Sequence, residues 1–271
     1  MTAWILREGN GLAYYTLEKW LEAGADMAFS TRRGGLGQGV YDSANLGLHV
    51  EDDPQQVVFN REKFLANFQL SLGQAVTCRQ VHGDRIVRVD EQQQGRGTYL
   101  YDTALPDSDA LITNVPGVTL LTFYADCLPV YLFDPGKRAI GIVHSGWKGT
   151  MQRIAAQAVV GLQTEYECQP ADIWAAIGPG IGGCCFQISA LLAKEAHLKF
   201  PGYQHILRAD GEQYYWDLPA TIQQMLLQAG IKSEHISICP LCTVCHPEQF
   251  FSYRRDQGKT GRMGALLNLR Y

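Results

Sequence analysis

Two apolar stretches rich in β-branched residues flank the run Asp134-Pro135-Gly136-Lys137, and this arrangement constrains the fold more than any other feature. A Pro-Gly pair between apolar runs is typical of a turn, so the stretches are predicted to form an antiparallel hairpin. If Asp134 pairs with Lys137, the same register places Cys127 opposite His144, whereas a longer loop would shift that register. Directly opposed residues have Cβ atoms roughly 4.5–5.5 Å apart. The hairpin therefore predicts a cysteine and a histidine close enough to share a metal ion or a proton.

Neither of these two residues would carry much meaning alone. A buried cysteine acts as a small hydrophobic residue, and a core histidine is satisfied by a backbone carbonyl. A third candidate ligand is His82, which ends a predicted strand and precedes Gly83. One cysteine and two histidines leave a fourth coordination position open, which is the pattern of a catalytic zinc. The sequence thus predicts a metal site of His82, Cys127 and His144.

The composition is that of an ordinary globular protein, with 46% hydrophobic and 18% charged residues among 271. We expect one domain over residues 1–271, because no repeat, low-complexity tract or linker divides them. A net charge of −4 provides no basic footprint for nucleic acid. No apolar run approaches the roughly 20 residues that span a bilayer, and the first residues do not resemble a signal peptide. We therefore expect a cytoplasmic protein with no nucleic-acid or membrane partner.

Local patterns predict helices interspersed with strands. A helix should begin at Asp53 and Pro54, and others should cover residues 151–162 and 218–229 and follow Ser189. Strands are predicted over residues 76–82, 84–89, 110–113, 118–125, 130–133, 139–143, 173–177, 236–239 and 265–269. We expect residues 118–124 and 139–143 to share one sheet. Strands that occur both in hairpins and between helices favour an α/β or α+β fold, a layered α/β sandwich with mixed sheets.

Eight cysteines are expected to be thiols or metal ligands rather than disulfides, because no export signal is recognised. The run Cys239-Pro-Leu-Cys242-Thr-Val-Cys245-His246 contains a C-x-x-C pattern and a formal haem-attachment pattern. Haem attachment needs an oxidising compartment, and a complete zinc site needs a partner cluster that the sequence does not make obvious. Inert thiols are the first interpretation and a secondary metal site is the second, with Cys184 and Cys185 equally ambiguous. We expect this run to contain no haem and to be dispensable for turnover.

Nine segments, in order over nearly the whole chain, together form a specific signature. They are Ser30-Thr-Arg-Arg-Gly-Gly35, Tyr41-Asp-Ser-Ala-Asn-Leu-Gly47, Gln80-Val-His-Gly83, Asp109-Ala-Leu-Ile-Thr113, Ala125-Asp-Cys-Leu-Pro-Val130, Val143-His-Ser-Gly-Trp-Lys-Gly149, Ile177-Gly-Pro-Gly-Ile181, Phe251-Ser-Tyr-Arg-Arg-Asp256 and Thr260-Gly-Arg262. The sequence in this respect resembles the bacterial YfiH-type family. Its members are also described as laccase-domain or polyphenol oxidase proteins and as zinc-dependent purine nucleoside phosphorylases.

The resemblance implies a YfiH-like α/β sandwich and a zinc held by the residues at His82, Cys127 and His144, with copper as the alternative metal. It also implies activity on purine nucleosides: phosphorolysis of adenosine, inosine, guanosine and methylthioadenosine, with adenosine deamination. The implied partners are these nucleosides and phosphate. The oligomeric state is not implied.

Several residues are candidates for the chemistry of such an enzyme. Zinc lowers the pKa of a bound water toward about 7, and attack of that hydroxide at the purine C6 would give deamination. Phosphorolysis needs a site for phosphate under the ribose C1′, and arginine suits it through bidentate geometry. The candidate phosphate-binding cations are Arg32, Lys148, Arg254 and Arg255. Asp126, next to Cys127, is predicted to orient the site or transfer a proton, and Asp109 is a weaker candidate.

Other functions remain open at this stage. A metal-free cysteine hydrolase would use Cys127 as nucleophile and His144 as base, and hydrolysis of a peptidoglycan precursor could use either thiol or metal. A copper polyphenol oxidase needs several histidine-rich sites, which seven histidines spread singly along the chain do not supply. A non-enzymatic protein with a structural zinc would need a fourth protein ligand.

Overall fold

Two six-stranded β-sheets pack face to face, and helices cover their outer surfaces, in the computed structural model, which describes residues 3–271. The strands in these residues are β1 (Ile5–Gly9), β2 (Leu12–Thr16), β3 (Ala25–Ser30), β4 (Ala75–Val76), β5 (Ile86–Arg88), β6 (Ala110–Thr113), β7 (Thr119–Tyr124), β8 (Leu128–Asp134), β9 (Ala139–Ser145), β10 (Trp174–Ile177), β11 (Gln187–Ile188), β12 (Leu207–Asp210), β13 (Gln213–Trp216), β14 (Ile236–Ile238) and β15 (Met263–Leu269). The helices are α1 (Glu18–Glu22), α2 (Pro54–Ala66), α3 (Trp147–Met151), α4 (Ile154–Tyr166), α5 (Ala190–Lys199) and α6 (Leu218–Gln228).

Both large sheets are mixed, which confirms the predicted layered α/β sandwich. The first sheet has the strand order β1-β2-β3-β15-β7-β4, and the second has the order β14-β10-β8-β9-β6-β5. Most neighbours are antiparallel, but β4 pairs parallel with β7, β5 with β6, and β10 with β14. A third, smaller sheet has the order β11-β13-β12. None of the helices in the described part of the chain is long and apolar enough to cross a membrane.

The central strands are buried on both faces, because alternate side chains enter different cores. In β8, Tyr131 and Phe133 pack between the two sheets, whereas Val130 and Leu132 pack with residues of α4 and α6. α2 covers the outer surface of the first sheet. Strands of this kind are continuous apolar runs, so their sequences do not indicate which sheet they join.

The predicted hairpin forms between β8 and β9, but its register differs from the prediction by two residues. Asp134 pairs with Ala139 instead of Lys137, so residues 135–138 form the loop. Asp134 stabilises this longer loop, because its Oδ1 accepts hydrogen bonds at 2.9 Å from the backbone N–H groups of Gly136 and Lys137.

The shifted register keeps Cys127 and His144 on the same face of the hairpin. Side chains alternate along a strand, so only a shift by an odd number of residues would move one of them to the other face. His144 pairs with Pro129, and the last pair of the ladder is Leu128 with Ser145. Continuing the register by one residue places Gly146 opposite Cys127.

The prediction that residues 118–124 and 139–143 share a sheet is wrong. β7 lies in the first sheet and β9 in the second. The chain crosses between the sheets at residues 125–127, where Asp126 adopts a positive φ of 86°. The two strands still touch across the core, where the hydroxyl of Tyr124 donates a hydrogen bond to the carbonyl of Val143.

Two further predictions on local structure need correction. The helix predicted over residues 151–162 is divided into α3 and α4, because Arg153 adopts a left-handed φ of 62°. The strand predicted over residues 76–82 ends with β4 at Val76. The predicted caps agree with the structure: the side chains of Asp53 and Ser189 accept hydrogen bonds from backbone N–H groups at the starts of α2 and α5.

Candidate metal centre

Three side chains converge where the chain crosses from the first sheet to the second. Cys127 ends the crossing segment, His144 lies in β9, and His82 lies in the loop between β4 and β5. The potential ligand atoms of these residues all lie within 4.8 Å of one another. The structure therefore brings together the three ligands that the sequence predicts.

The loop that carries His82 is held by the buried carboxylate of Asp109. The sequence predicted that His82 ends a strand, but His82 lies in this loop and has a left-handed φ of 61°. The Asp109 carboxylate accepts hydrogen bonds from the backbone N–H groups of Val81, His82 and Gly83 at 3.2, 3.0 and 2.7 Å. These three bonds fix the backbone from which the His82 side chain projects.

Asp109 also orients His144. Nδ1 of His144 lies 2.7 Å from Oδ1 of Asp109, so this ring nitrogen donates to the carboxylate and Nε2 is left for a metal. Burial alone would raise the pKa of Asp109, but the hydrogen bond and charge of His144, with the N–H groups of Gly83 and Val81, hold the pKa below its usual value. One ionised carboxylate therefore positions both histidines.

Cys127 and His144 perturb each other's protonation. Burial raises the pKa of the Cys127 thiol, but the charge of His144 and hydrogen bonds from His144 and His82 outweigh it and lower the pKa to about 6. Burial lowers the pKa of His144, whereas the charge of Cys127 and the hydrogen bond to Asp109 raise it to about 9. The metal-free pair is thus a thiolate and an imidazolium near neutral pH. A metal ion would replace the imidazolium proton, because a ligating histidine is neutral.

Gly146 leaves the space that the Cys127 thiolate occupies. A Cβ atom at this position would lie 2.7 Å from Sγ of Cys127 and 3.2 Å from Cδ2 of His82. A side chain at the position opposite Cys127 would therefore displace a candidate ligand.

The three ligands form part of the wall of a cavity of about 500 Å³. This volume is within the range of about 300–1,000 Å³ that is typical of small-molecule sites. Aromatic and cationic side chains share the lining, among them Phe123, Trp147, Lys148, Phe186, Tyr253, Arg254 and Arg262.

The structure separates the four predicted phosphate-binding cations into two groups. Lys148 and Arg254 line the cavity, whereas Arg32 and Arg255 do not. The Arg255 guanidinium donates to the Asp256 carboxylate and to two backbone carbonyls. Arg32 likewise donates to two backbone carbonyls. Their hydrogen-bonding groups therefore hold loops together. Of the four predicted cations, Lys148 and Arg254 lie where they can contact a ligand in the cavity, although Nη1 of Arg254 also donates to the carbonyl of Gln187 at 3.0 Å.

Asp126 lies in the cavity wall, but both of its carboxylate oxygens accept hydrogen bonds within the protein. The Thr243 hydroxyl donates to Oδ1 at 2.6 Å, and the backbone N–H of Arg254 donates to Oδ2 at 2.7 Å. The backbone N–H of Ile181 donates to the Asp126 carbonyl at 2.7 Å. Asp126 thus connects three loops to the segment that ends in Cys127.

Some residues of the site were not identified from the sequence. The side-chain amide of Gln80 exchanges two hydrogen bonds with the backbone of Phe123, at 2.9 and 2.8 Å, and so fixes the loop before His82. Arg262 lines the cavity and donates to the carbonyls of Thr260 and Gly261. Both lie in segments that carry the family resemblance, which was the available signal for them.

The donor set fits a single zinc ion. One thiolate and two imidazoles are suitable zinc ligands, and the arrangement leaves a fourth position for water or substrate. Multi-copper oxidases need several histidine-rich sites. Within residues 3–271, the other cluster of three or more potential ligands consists of four cysteines and contains no histidine.

The fold and the cluster define a class of layered α/β proteins with a cysteine and two histidines in the wall of a cavity. A family model described as "Multi-copper polyphenol oxidoreductase laccase" matches residues 26–270. The chain belongs to this family, which confirms the resemblance inferred from its sequence.

Relatives of the chain carry a different functional name. The chain is 38% identical to the purine nucleoside phosphorylase YlmD of Geobacillus stearothermophilus, over 92% of this chain and 91% of that protein. It is 36% identical to the protein of the same name from Bacillus subtilis, over 89% and 87% of the two chains. The crystal structure of YlmD from G. stearothermophilus superposes with a TM-score of 0.94 at 36% identity and covers 100% of both chains.

Proposed function

We propose that this chain is a zinc-dependent purine nucleoside phosphorylase that accepts adenosine, inosine, guanosine and methylthioadenosine and also deaminates adenosine. The observation that carries the proposal is the cluster of His82, Cys127 and His144 in the wall of the cavity. The name shared by the two YlmD relatives supports the substrate class.

The cavity offers the surfaces that a purine nucleoside and phosphate require. Aromatic side chains supply faces for stacking with the base, and cations supply charge for phosphate. Nζ of Lys148 lies 5.6 Å from the ring centre of Trp147, and the Arg254 guanidinium lies 5.2 Å from that of Phe186. Because each cation is next to an aromatic ring, sites for the base and for phosphate would be adjacent.

The residues have separable roles in this proposal. In phosphorolysis, a phosphate oxygen forms a bond to C1′ as the bond from C1′ to the base breaks, and the base leaves with the electron pair. Lys148 and Arg254 would hold the phosphate and offset its charge. Asp126 is a positioning residue, because both of its oxygens already accept hydrogen bonds. A zinc ion held by the three ligands would supply Lewis acidity and an acidified water for deamination.

Product analysis tests the proposal. Purified protein is incubated with adenosine, with and without phosphate, and adenine, inosine and hypoxanthine are separated. We expect adenine only with phosphate and inosine under both conditions. His82→Ala should lose all products, whereas His197→Ala, which changes an exposed histidine of α5, should retain them. Absence of phosphate-dependent base release from the wild-type protein would refute the proposed phosphorylase.

A metal-free cysteine hydrolase is the second candidate. The specific observation is the series from the Asp109 carboxylate through His144 to the Cys127 thiolate, which is the arrangement of an activated cysteine nucleophile. A zinc enzyme should lose turnover to a chelator and recover it with zinc. A thiol enzyme should keep its turnover in chelator and lose it when iodoacetamide modifies Cys127.

A further inference from the structure

Four cysteines away from the candidate metal centre form a second compact cluster. Their Sγ atoms all lie within 4.8 Å of one another, and the residues are Cys184, Cys185, Cys242 and Cys245. Sγ of Cys245 lies 3.7 Å from that of Cys184 and 3.4 Å from that of Cys185. The vicinal pair is therefore the partner that the C-x-x-C pattern lacked in the sequence.

The sulfur positions match a single tetrahedral ion. Zinc with four Zn–S bonds of about 2.3 Å imposes sulfur–sulfur distances of about 3.8 Å, close to the two short distances observed. Four cysteine ligands with no open position are the donor set of a structural zinc site. Iron–sulfur clusters hold their cysteine sulfurs farther apart, because several irons and sulfides lie between them.

The backbone brings the two cysteine loops together. Gly180 forms an isolated parallel bridge with Cys242, and its carbonyl accepts a hydrogen bond from the N–H of Thr243 at 3.0 Å. The N–H of Gly182 donates to Sγ of Cys242 at 3.3 Å, a contact that favours a thiolate. A Cβ atom on Gly182 would lie 3.3 Å from Sγ of Cys184 and 3.4 Å from Cβ of Cys242, so Gly182 packs directly against cysteines of both loops.

The exposure of the cluster is unlike that of inert thiols. Cys78 and Cys168 are buried, as expected of cysteines that act as small hydrophobic residues. Of the four cysteines in the cluster, Cys184 and Cys245 are exposed, Cys185 is half-buried and Cys242 is buried. Thiols gathered at the surface gain little from burial and are open to oxidation. Coordination of a metal ion gives this arrangement a physical cause.

We propose that Cys184, Cys185, Cys242 and Cys245 bind one zinc ion in a closed structural site that ties together two loops bordering the cavity. Thr243 follows one ligand and donates a hydrogen bond to Asp126. On the other loop, Ile181 and Phe186 flank the vicinal pair and line the cavity.

Zinc at this tetracysteine site takes no part in the reaction but fixes both loops. Its loss should lower Tm and raise KM for the nucleoside more than it lowers kcat. Turnover at saturating substrate should stay within a few-fold of wild type, as expected for the run from Cys239 to His246.

Zinc content per chain, measured by elemental analysis of protein purified without chelator, tests the inference. We expect two zinc ions in the wild-type protein and one each in Cys242→Ser/Cys245→Ser and in His82→Ala. The control Cys78→Ala/Cys168→Ala removes the same number of cysteines and should keep both ions. If His82→Ala loses no zinc, the proposed catalytic centre is refuted, whereas the tetracysteine site is not. If Cys242→Ser/Cys245→Ser binds as much zinc as wild type, the tetracysteine site is refuted.

Cobalt loading of His82→Ala provides a measurement that does not depend on the serine variant folding. We expect the intense absorption of a tetrahedral cobalt ion with thiolate ligands, including charge transfer from sulfur. Absence of that absorption would overturn the proposal. Peptide mapping of protein purified without oxidant gives a further check, because a disulfide from Cys245 to Cys184 or Cys185 would also overturn it.

Discussion

The carboxylate of Asp109 should control both the affinity for zinc and the stability of the metal-free protein, and Asp109→Asn tests this role. In the native structure the carboxylate accepts hydrogen bonds from three backbone N–H groups of residues 81–83 and from Nδ1 of His144. Asparagine has one acceptor oxygen and one NH₂ donor at the same place. At least one of the native donors would therefore face another donor.

The size of both effects follows from these contacts. A buried donor without an acceptor costs about 1–3 kcal/mol of the free energy of unfolding. Loss of the carboxylate partner of a metal-binding histidine weakens metal binding about 10–100-fold, or ~1.4–2.7 kcal/mol. Asp109→Asn should thus lower Tm of the metal-free protein and also raise the Kd for zinc.

The assay for this prediction is competition for zinc with a chromophoric chelator, together with thermal unfolding of metal-free protein. Asp134→Asn is the matched control, because Asp134 is buried and accepts two backbone hydrogen bonds at the hairpin loop. Asparagine keeps the Oδ1 oxygen that accepts both of these bonds, so this variant should leave the zinc affinity at the Cys–His₂ centre unchanged. The reasoning is refuted if Asp109→Asn binds zinc as tightly as wild type, or if Asp134→Asn weakens binding equally.

Three further predictions concern the same site. In metal-free protein, alkylation of Cys127 should increase through a pH of about 6, and His144→Ala should move this midpoint to higher pH, because the largest charge that opposes burial is lost while His82 remains. Mass spectrometry of the modified peptide gives the rate, and a wild-type midpoint near 9 would contradict the thiolate. Gly146→Ala should weaken zinc binding by about tenfold or more, because its Cβ would contact the thiolate sulfur; calorimetry that shows unchanged affinity would count against the predicted crowding. Lys148→Ala should raise KM for phosphate about fivefold, or ~1 kcal/mol, whereas the control Lys194→Ala on α5 should not change it. If Lys148→Ala and the wild-type protein have equal KM values for phosphate in steady-state assays, Lys148 does not bind phosphate.

The hairpin shows how far local sequence signals extend. The turn residues around Pro135 and Gly136 correctly predicted antiparallel pairing of β8 and β9. They did not predict the register, because the Asp134 side chain stabilises a loop of residues 135–138. The candidate ligands could still be paired, since a two-residue shift leaves Cys127 and His144 on one face.

Local sequence patterns did not predict contacts between residues that are far apart in the sequence. β7 and β9 are both buried on two faces, so their apolar runs do not distinguish membership of the first or second sheet. Asp109 shows the same difficulty at the site, because its four donors come from residues 81–83 and 144. The tetracysteine cluster joins loops about 60 residues apart, so neither half predicts the other. For Arg32 and Arg255, residue type alone could not show that their side chains lie outside the cavity.

The most direct test of the central claim is zinc titration of metal-depleted Cys127→Ser and His82→Ala, with phosphate-dependent release of adenine from adenosine as the readout. A serine hydroxyl lacks the charge and softness of a thiolate, so Cys127→Ser should bind zinc weakly and regain part of its activity in excess zinc. His82→Ala removes a ligand but no nucleophile or base, so its activity should fall by a comparable factor. If His82→Ala instead retains near-normal activity in chelator while Cys127→Ser stays inactive at every zinc concentration, Cys127 is a nucleophile and the zinc mechanism is wrong.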